Sequence, residues 1–440
     1  MNTTTDIRKH YLKNFKLFDQ RTNGNPQSPI HILRQKGIDD FLQYGFPMSS
    51  DEEWRFTNIA PITRTPFLPV PSTAKNDIAK SVLEQHLISG MAGSRLTFVN
   101  GHFISGLSEL KSDTIRIQNL AAVVNSGHES IDRYLQLFTH SEKNAFTFLN
   151  TGFLYDGSFI VIPDNMIVEQ PIYLLFIAKE TPEPAMIQPR NILIVGKNSK
   201  VSIVEQFVSL TDSFYLTNTI TQIVAGENSF IEHTKIQTES LNAFHIGSTQ
   251  VQQQSGSNFT SHSMMLGGAI VRNNITAILE AEHIECTLNG LSLTAGNQLI
   301  DNHTIIDHAH PYCDSHELFK AILDGSSRGV FNGKIYVRKD AQKTNARQTN
   351  KTLLLSDQAT MNTKPQLEIF ADDVKCTHGA TIGYLDSEMI FYLRSRGIGI
   401  EEARDLLIHA FASDITKRIS DESVQRYIDA LIFDRLGNKR

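Results

Sequence analysis

From about Leu96 to about Thr381 the chain is a succession of short segments rich in β-branched residues. Leu96–Val99, Phe159–Ile162, Ile192–Val195, Val201–Val204, Ile275–Leu279 and Val330–Val337 are set apart by Asn-Gly, Asp-Gly, Gly-Lys-Asn and Gly-Glu-Asn turns, at intervals of about ten residues. With 440 residues the whole chain exceeds one ordinary compact core, which stops growing at about 250–300 residues. Either it divides into domains or its core is stretched along one axis. A sandwich is cramped for so many short strands in succession, whereas a β-solenoid stacks them rung upon rung. Asn100-Gly101, Asn289-Gly290 and Asn332-Gly333 suit hairpin turns and solenoid corners equally, and no strict period decides between them.

The flanks change period. Ile7, Tyr11, Phe15 and Phe18 form one helical stripe behind Asp6 as a cap. Ser28-Pro29 starts a second helix through Leu33, Ile38, Phe41 and Leu42 that tolerates Gly37 and stops at Gly45 and Pro47. Pro61, Pro66, Pro69 and Pro71 mark a linker, and Ile78–Leu87 reads as a further helix. In the tail, Asp386 caps a helix ending at Gly397. Ile400, Ala403, Leu407, Ala410 and Phe411 share one helical face, and Val424, Tyr427, Ile428, Leu431 and Ile432 share another. The expected architecture is mainly β with helical ends: a helical region over 1–92, a solenoid core over 93–381, and a helical domain over 382–440, with helices covering the open ends of the solenoid.

Composition narrows the function classes. Forty-seven acidic against 41 basic residues leave a formal charge of -6, which argues against nucleic acid or an anionic membrane as partner. Three cysteines make no disulfide framework and point to a reducing compartment. The first sixteen residues carry Asp6, Arg8, Lys9 and Lys13 without an apolar run, so no secretory signal is visible. The longest apolar stretch, Ile172–Ala178, is far short of the roughly 20 residues that span a bilayer. A cytoplasmic protein is expected.

Most catalytic signatures are missing. There is no phosphate-cradling G-x-x-x-x-G-K-[ST] loop, so the chain runs no ATPase cycle of its own by that route. Gly397-Ile-Gly399 lacks the third glycine of a dinucleotide site. Gly325-Ser-Ser-Arg-Gly329 matches a nucleophile elbow on paper, but a strand rather than a helix follows it, so a plain turn is the better reading. His303, His308, His310, Cys313 and His316 form the densest metal-like cluster, without the spacing of a zinc finger; buried, hydrogen-bonded histidines are the competing reading. Cys286 reads as a small buried hydrophobe.

Cys376 and His378 stand two apart in the last strand-like segment. In an unbroken strand such positions project from one face, roughly 6–7 Å apart, so a thiolate and an imidazole aim at one point. Gly379 and Ala380 leave room beside them, and Lys375 is placed to lower the thiol pKa. A structural role is the plain alternative. Two ligands are too few for zinc or an iron–sulfur cluster, which take four; if the pair binds metal, the rest come most simply from a second chain.

The runs Ala341-Gln-Lys-Thr-Asn-Ala346, Leu353-Leu-Leu-Ser-Asp357, Pro365-Gln-Leu-Glu-Ile369, Ala371-Asp-Asp-Val-Lys-Cys-Thr-His-Gly-Ala380 and Tyr392-Leu-Arg-Ser-Arg-Gly397 closely resemble the SufB/SufD family of iron–sulfur cluster assembly proteins. Glu52-Glu-Trp-Arg55, Phe98-Val-Asn-Gly101, Val330-Phe-Asn-Gly333 and the helical tail follow in the family's order, so the resemblance covers most of the chain. His378-Gly379-Ala380 is similar to the SufD branch, since the SufB branch typically has glutamate where this chain has Gly379. The resemblance implies a right-handed parallel β-helix core and a non-catalytic scaffold. It also implies a complex with a SufB-like chain and two copies of the ATPase SufC, docked on the C-terminal helical domain, with sulfur reaching the complex from a cysteine desulfurase. Carried over by position, His378 is associated with nascent-cluster formation at the interface, and Cys376 is a neighbouring thiol that becomes accessible when the ATPase closes. Iron and sulfide are then held transiently, and a reduced flavin in the complex is left open as electron source. A SufB-like or homodimeric scaffold of the same pathway and, more distantly, a β-helix polysaccharide-active enzyme remain as alternatives.

Overall fold

The computed structural model describes residues 3–22, 26–71, 77–111, 114–126, 134–135 and 144–437. Successive strands alternate between two parallel sheets, which together make a solenoid of about eight turns. One sheet ends in Leu299–His308, Arg328–Val337 and Thr360–Ile369; the other ends in Asp314–Leu323, Asn345–Leu354 and Lys375–Tyr384. Antiparallel pairs occur at the opposite end, where Arg95–Val99 meets His102–Phe103 and Arg116–Asn119 meets Ser158–Ile162.

Rung length is uneven, which is why no period shows in the sequence. Phe244 pairs with Ile270, 26 residues on, whereas Arg328 pairs with Thr360, 32 residues on. Corners absorb the difference: Asn198 and Asn228, in the Gly-Lys-Asn and Gly-Glu-Asn turns, take φ of 52° and 55°, which asparagine tolerates better than most residues. Asn100-Gly101 is a hairpin turn, but Asn289-Gly290 and Asn332-Gly333 lie inside strands Glu285–Thr294 and Arg328–Val337. Their glycines answer to packing, not to a turn. A Cβ on Gly290 would overlap the Phe319 ring, and one on Gly333 would overlap the carboxamide of Gln348. Gly325-Ser-Ser-Arg-Gly329 is a corner leading into a strand.

Helix Thr3–Thr22 starts upstream of Asp6, so that residue does not cap it. Its stripe packs as the spacing predicts, with Tyr11 and Phe15 buried and Ile7 and Phe18 beside them. In helix Pro29–Tyr44, capped by Ser28, Gly37 is required rather than tolerated: a Cβ there would stand 2.5 Å from the backbone nitrogen of Gly152 in helix Ala145–Gly152. The strand region also contains helix Leu120–Asn125. The proline-rich segment is no free linker, because Leu68-Pro69 pairs with Ala185-Met186. The helix read over Ile78–Leu87 is shorter, Lys80–Glu84.

The Glu52–Arg55 motif sews this N-terminal part to the outer face of the solenoid. Trp54 stacks on the Arg272 guanidinium at 3.8 Å, Arg272 donates to the Glu53 carbonyl, and the Glu53 carboxylate receives Asn332 and pairs with His303 at 3.2 Å. Buried Asp301 completes the group, 2.9 Å from both Arg272 and His303. Burial alone would lower the His303 pKa, but attraction to Asp301 raises it. The hydrogen bond from His303 holds Glu53 below its usual range. Burial would raise Asp301, but His303 and Arg272 hold it low. The signs fix a window. The histidine contributes fully below its ordinary value of about 6.5 and loses its contribution as pH rises through its raised folded value. The two carboxylates contribute above their ordinary values of about 4 and lose it as pH falls through their lowered ones. Stability carried by this clamp is therefore expected to peak at about pH 5–6 and to decline as pH rises past the ordinary histidine value towards the raised one. Denaturation midpoints against pH check this, with His303→Phe flattening the alkaline limb.

The C-terminal helices, Ser387–Ser395, Ile400–Thr416 and Glu422–Gly437, do not cover the end of the solenoid. The last two fold back along its side. Ile408, Ala412, Ile415, Val424, Ile428 and Ile432 pack on outward residues such as Val204, Ile236, Leu291 and Ile322. Of the stripe expected on the second helix, Ala403 is buried and Phe411 packs on the same cluster, but Ile400 and Ala410 are exposed and the buried face runs through Ile408, Ala412 and Ile415, on the side that meets the strands. Asp386 caps the first, accepting from the Glu388 and Met389 amides.

Candidate functional site

Side chains along each strand alternate between lumen and surface. One lumen column runs Val201, Ile231, Phe259, Cys286, Ser315, Ala346, Cys376; the next runs Ile203, His233, Ser261, Leu288, Glu317, Gln348, His378. Every member of both is buried except the last of each. Cys376 and His378 thus share the inward face of the terminal strand Lys375–Tyr384, at the end of the solenoid that no element among the described residues caps.

Cys376 is half-buried and packs beside Ile335, Val337, Ala346 and Ala371. Burial pushes its thiol up, against a backbone hydrogen bond with Ala346 that lowers it. The expectation that Lys375 lowers the thiol pKa is corrected, since adjacent strand residues face opposite sides and this lysine is on the surface. His378 is exposed.

The other cysteines are deeper. Cys286 is fully buried and its thiol is pushed far up by burial. Cys313 is buried at a corner, its Sγ 3.1 Å from the Ala281 carbonyl, and burial pushes it up to about 11. An alkylating reagent is expected to label Cys376 first in the folded chain, by more than about tenfold over the two others. Timed mass spectrometry, with Cys376→Ser as control, measures this.

The structure does not bring the five-residue cluster together. His303 and His308 are five apart on one strand and so face opposite ways: His303 lies outside under Glu53, while His308 is in the lumen, its Nε2 2.9 Å from Ser315 Oγ. Burial lowers His308 to about 4. His310 and His316 are exposed, and no group of three or more metal-type ligands converges among the described residues.

Two lumen residues escape sequence inspection. Glu317 is buried, and burial pushes its carboxyl up to about 7. Gln348 Nε2 donates to its Oε2 at 2.5 Å. Their spacing of 31 residues carries no local signal; only the stacking of rungs reveals it.

The uncapped end is chemically unfinished. Both terminal strands leave one backbone edge unpaired, a surface that invites another chain. Ile369, Phe370, Ile382 and Tyr384 are exposed there, and Met389, Phe391 and Tyr392 are exposed on the adjoining helix. No helix among the described residues is long and apolar enough to cross a membrane.

Residues 176–411 match the family model for the SUF system FeS cluster assembly SufBD core domain, and residues 5–174 match the SufBD protein N-terminal region. An iron–sulfur cluster assembly SufBD family protein of Synechocystis is 33% identical over 93% of this chain and 92% of its own length. The iron–sulfur cluster assembly protein SufD of Escherichia coli is 30% identical, with 94% of each covered. The chloroplastic protein ABCI7 of Arabidopsis thaliana is 29% identical over 90% of this chain and 84% of its own. The chain belongs to the SufBD family of iron–sulfur cluster assembly proteins.

Proposed function

We propose that this chain is a SufD-like scaffold subunit that supplies Cys376 and His378 to a site completed by a SufB-like chain across the uncapped end. The observation that supports the reading is that Cys376 and His378 share one face of the last strand, beside two backbone edges that no described strand pairs. Iron and sulfide are substrate and cargo here, held transiently; the assembled cluster passes on.

The exposed Met389, Phe391 and Tyr392 on helix Ser387–Ser395 supply an apolar surface for the ATPase partner beside that end. ATP-driven closure of two ATPase subunits moves the helical domains and, with them, the rigid solenoids. It changes the interface only through its different affinity for the two arrangements. In the open arrangement the half-buried Cys376 thiol becomes reachable and ionises more readily as water returns to it.

Co-purification tests the reading. The chain is expected to form a stable complex with a SufB-like scaffold and an ATPase, and a chain that retains neither would contradict it. A homodimer across the same edge is the second reading, favoured because the edge is self-complementary in backbone hydrogen bonding; sedimentation of the chain alone and with its partner separates the two.

A further inference from the structure

We infer that Gln348 and Glu317 are positioning residues for His378: when the ring turns onto the rung beneath it, the unpartnered Gln348 Oε1 accepts the proton of one ring nitrogen, and Glu317 fixes the carboxamide that does so. This rests on the reading of His378 as a cluster-site ligand.

The geometry is a column. Glu317, Gln348 and His378 occupy the same position on three successive strands of one sheet, paired Glu317 to Gln348 and Gln348 to His378. Gln348 is 1% exposed, and its Nε2 is committed to Glu317. That orients the opposite atom of the amide, and Gln348 Oε1 is buried without a hydrogen-bond partner. An unsatisfied buried carbonyl is costly, and the imidazole on the next rung carries the N–H able to satisfy it. The opposite sheet makes room for the carboxamide, since a side chain on Gly333 would occupy its place. Burial keeps Glu317 partly protonated near neutrality, so a neutral column costs the lumen less than a bare carboxylate would.

The chemical consequence is tautomer control. A metal-binding histidine usually donates its other ring N–H to a carbonyl or carboxylate, which orients the ring and raises its basicity. With one nitrogen held by Gln348, the other presents its lone pair to the uncapped end. The column thus turns an exposed, rotating imidazole into an aimed ligand.

The experiment is ¹⁵N NMR of histidine-labelled full-length chain at a pH where imidazole is neutral, with the His378 signals assigned by their loss in His378→Ala. One tautomer is expected to dominate by about tenfold in the wild type, the ratio one hydrogen bond supports. Gln348→Leu should return the ratio to that of free imidazole, and Gln348→Glu, which keeps an acceptor, should retain the bias. Glu317→Met serves as the second variant if Gln348→Leu does not fold, because it replaces a buried carboxyl by an apolar chain of like length and frees the Gln348 amide to turn. A folded Gln348→Leu or Glu317→Met protein with the wild-type ratio overturns the inference. So does a wild type with no bias. Cluster assembly by the His378→Ala complex is measured in parallel. Wild-type assembly there sinks the ligand reading and leaves the column standing, whereas lost assembly without tautomer bias sinks the column alone.

Discussion

Asp301→Ala is expected to destabilise the folded chain by about 3–5 kcal/mol, the usual cost of removing one partner from a buried ion pair. Asp301 is fully buried, and its two oxygens hold Arg272 and His303 at 2.9 Å each and accept the Thr57 hydroxyl at 2.5 Å. Without it the buried Arg272 guanidinium loses its carboxylate partner and His303 keeps only Glu53. Arg272 would keep only the Asn274 side chain, the Glu53 carbonyl and the Trp54 ring, none of which carries a full negative charge. Asp301→Asn keeps the shape and half of the hydrogen bonding, so its cost should be smaller, about 1–3 kcal/mol. Denaturant midpoints read both. Because this clamp joins the N-terminal segment to the solenoid, Asp301→Ala should also open residues 49–57 to proteolysis before the solenoid itself is cut. A loss below about 1 kcal/mol for Asp301→Ala would mean that the clamp is ornamental.

His378→Ala is expected to slow cluster assembly by the reconstituted complex by about tenfold or more, since changes even to residues behind a metal ligand cost about 10–100-fold. The same substitution should cost folding little, about 1 kcal/mol for the one hydrogen bond to Gln348, because the ring is otherwise exposed. That contrast is diagnostic. Cys376→Ser should also slow assembly while costing little stability, for the thiol is only half-buried. A structural Cys-x-His pair would behave the other way, with stability lost and the rate unchanged.

The solenoid was legible because strand-length apolar runs and Asn/Gly corners recur along the chain, even though rung lengths from 26 to 33 residues blur the period. That Cys376 and His378 share one face was legible for a local reason: they stand two positions apart on one strand. What escaped is set by stacking. Gly290 and Gly333 carry turn signatures in Asn-Gly, yet they sit in strands because Phe319 and Gln348 need the space. His303 and His308 look like one cluster until strand alternation separates them. Glu317 and Gln348 carry no local signal, and the Glu53–Asp301 clamp joins residues far apart in the chain, so only the fold places them together. The face of the last helix, Val424, Tyr427, Ile428, Leu431 and Ile432, packs as its spacing indicates, whereas that of helix Ile400–Thr416 is shifted because its contact is with strands, whose ridges a helical stripe alone does not record.

The account stands on two side chains of the terminal rung completing a site with another chain. Its most direct test is anaerobic iron and sulfide analysis of the complex with a SufB-like scaffold and the ATPase, after assembly with ATP, beside each chain alone. Iron and sulfide should appear in stoichiometric ratio on the wild-type complex, be absent from either chain alone, and fall to background when Cys376→Ser and His378→Ala are combined in a complex that still forms. Full iron and sulfide on that doubly substituted complex would contradict it.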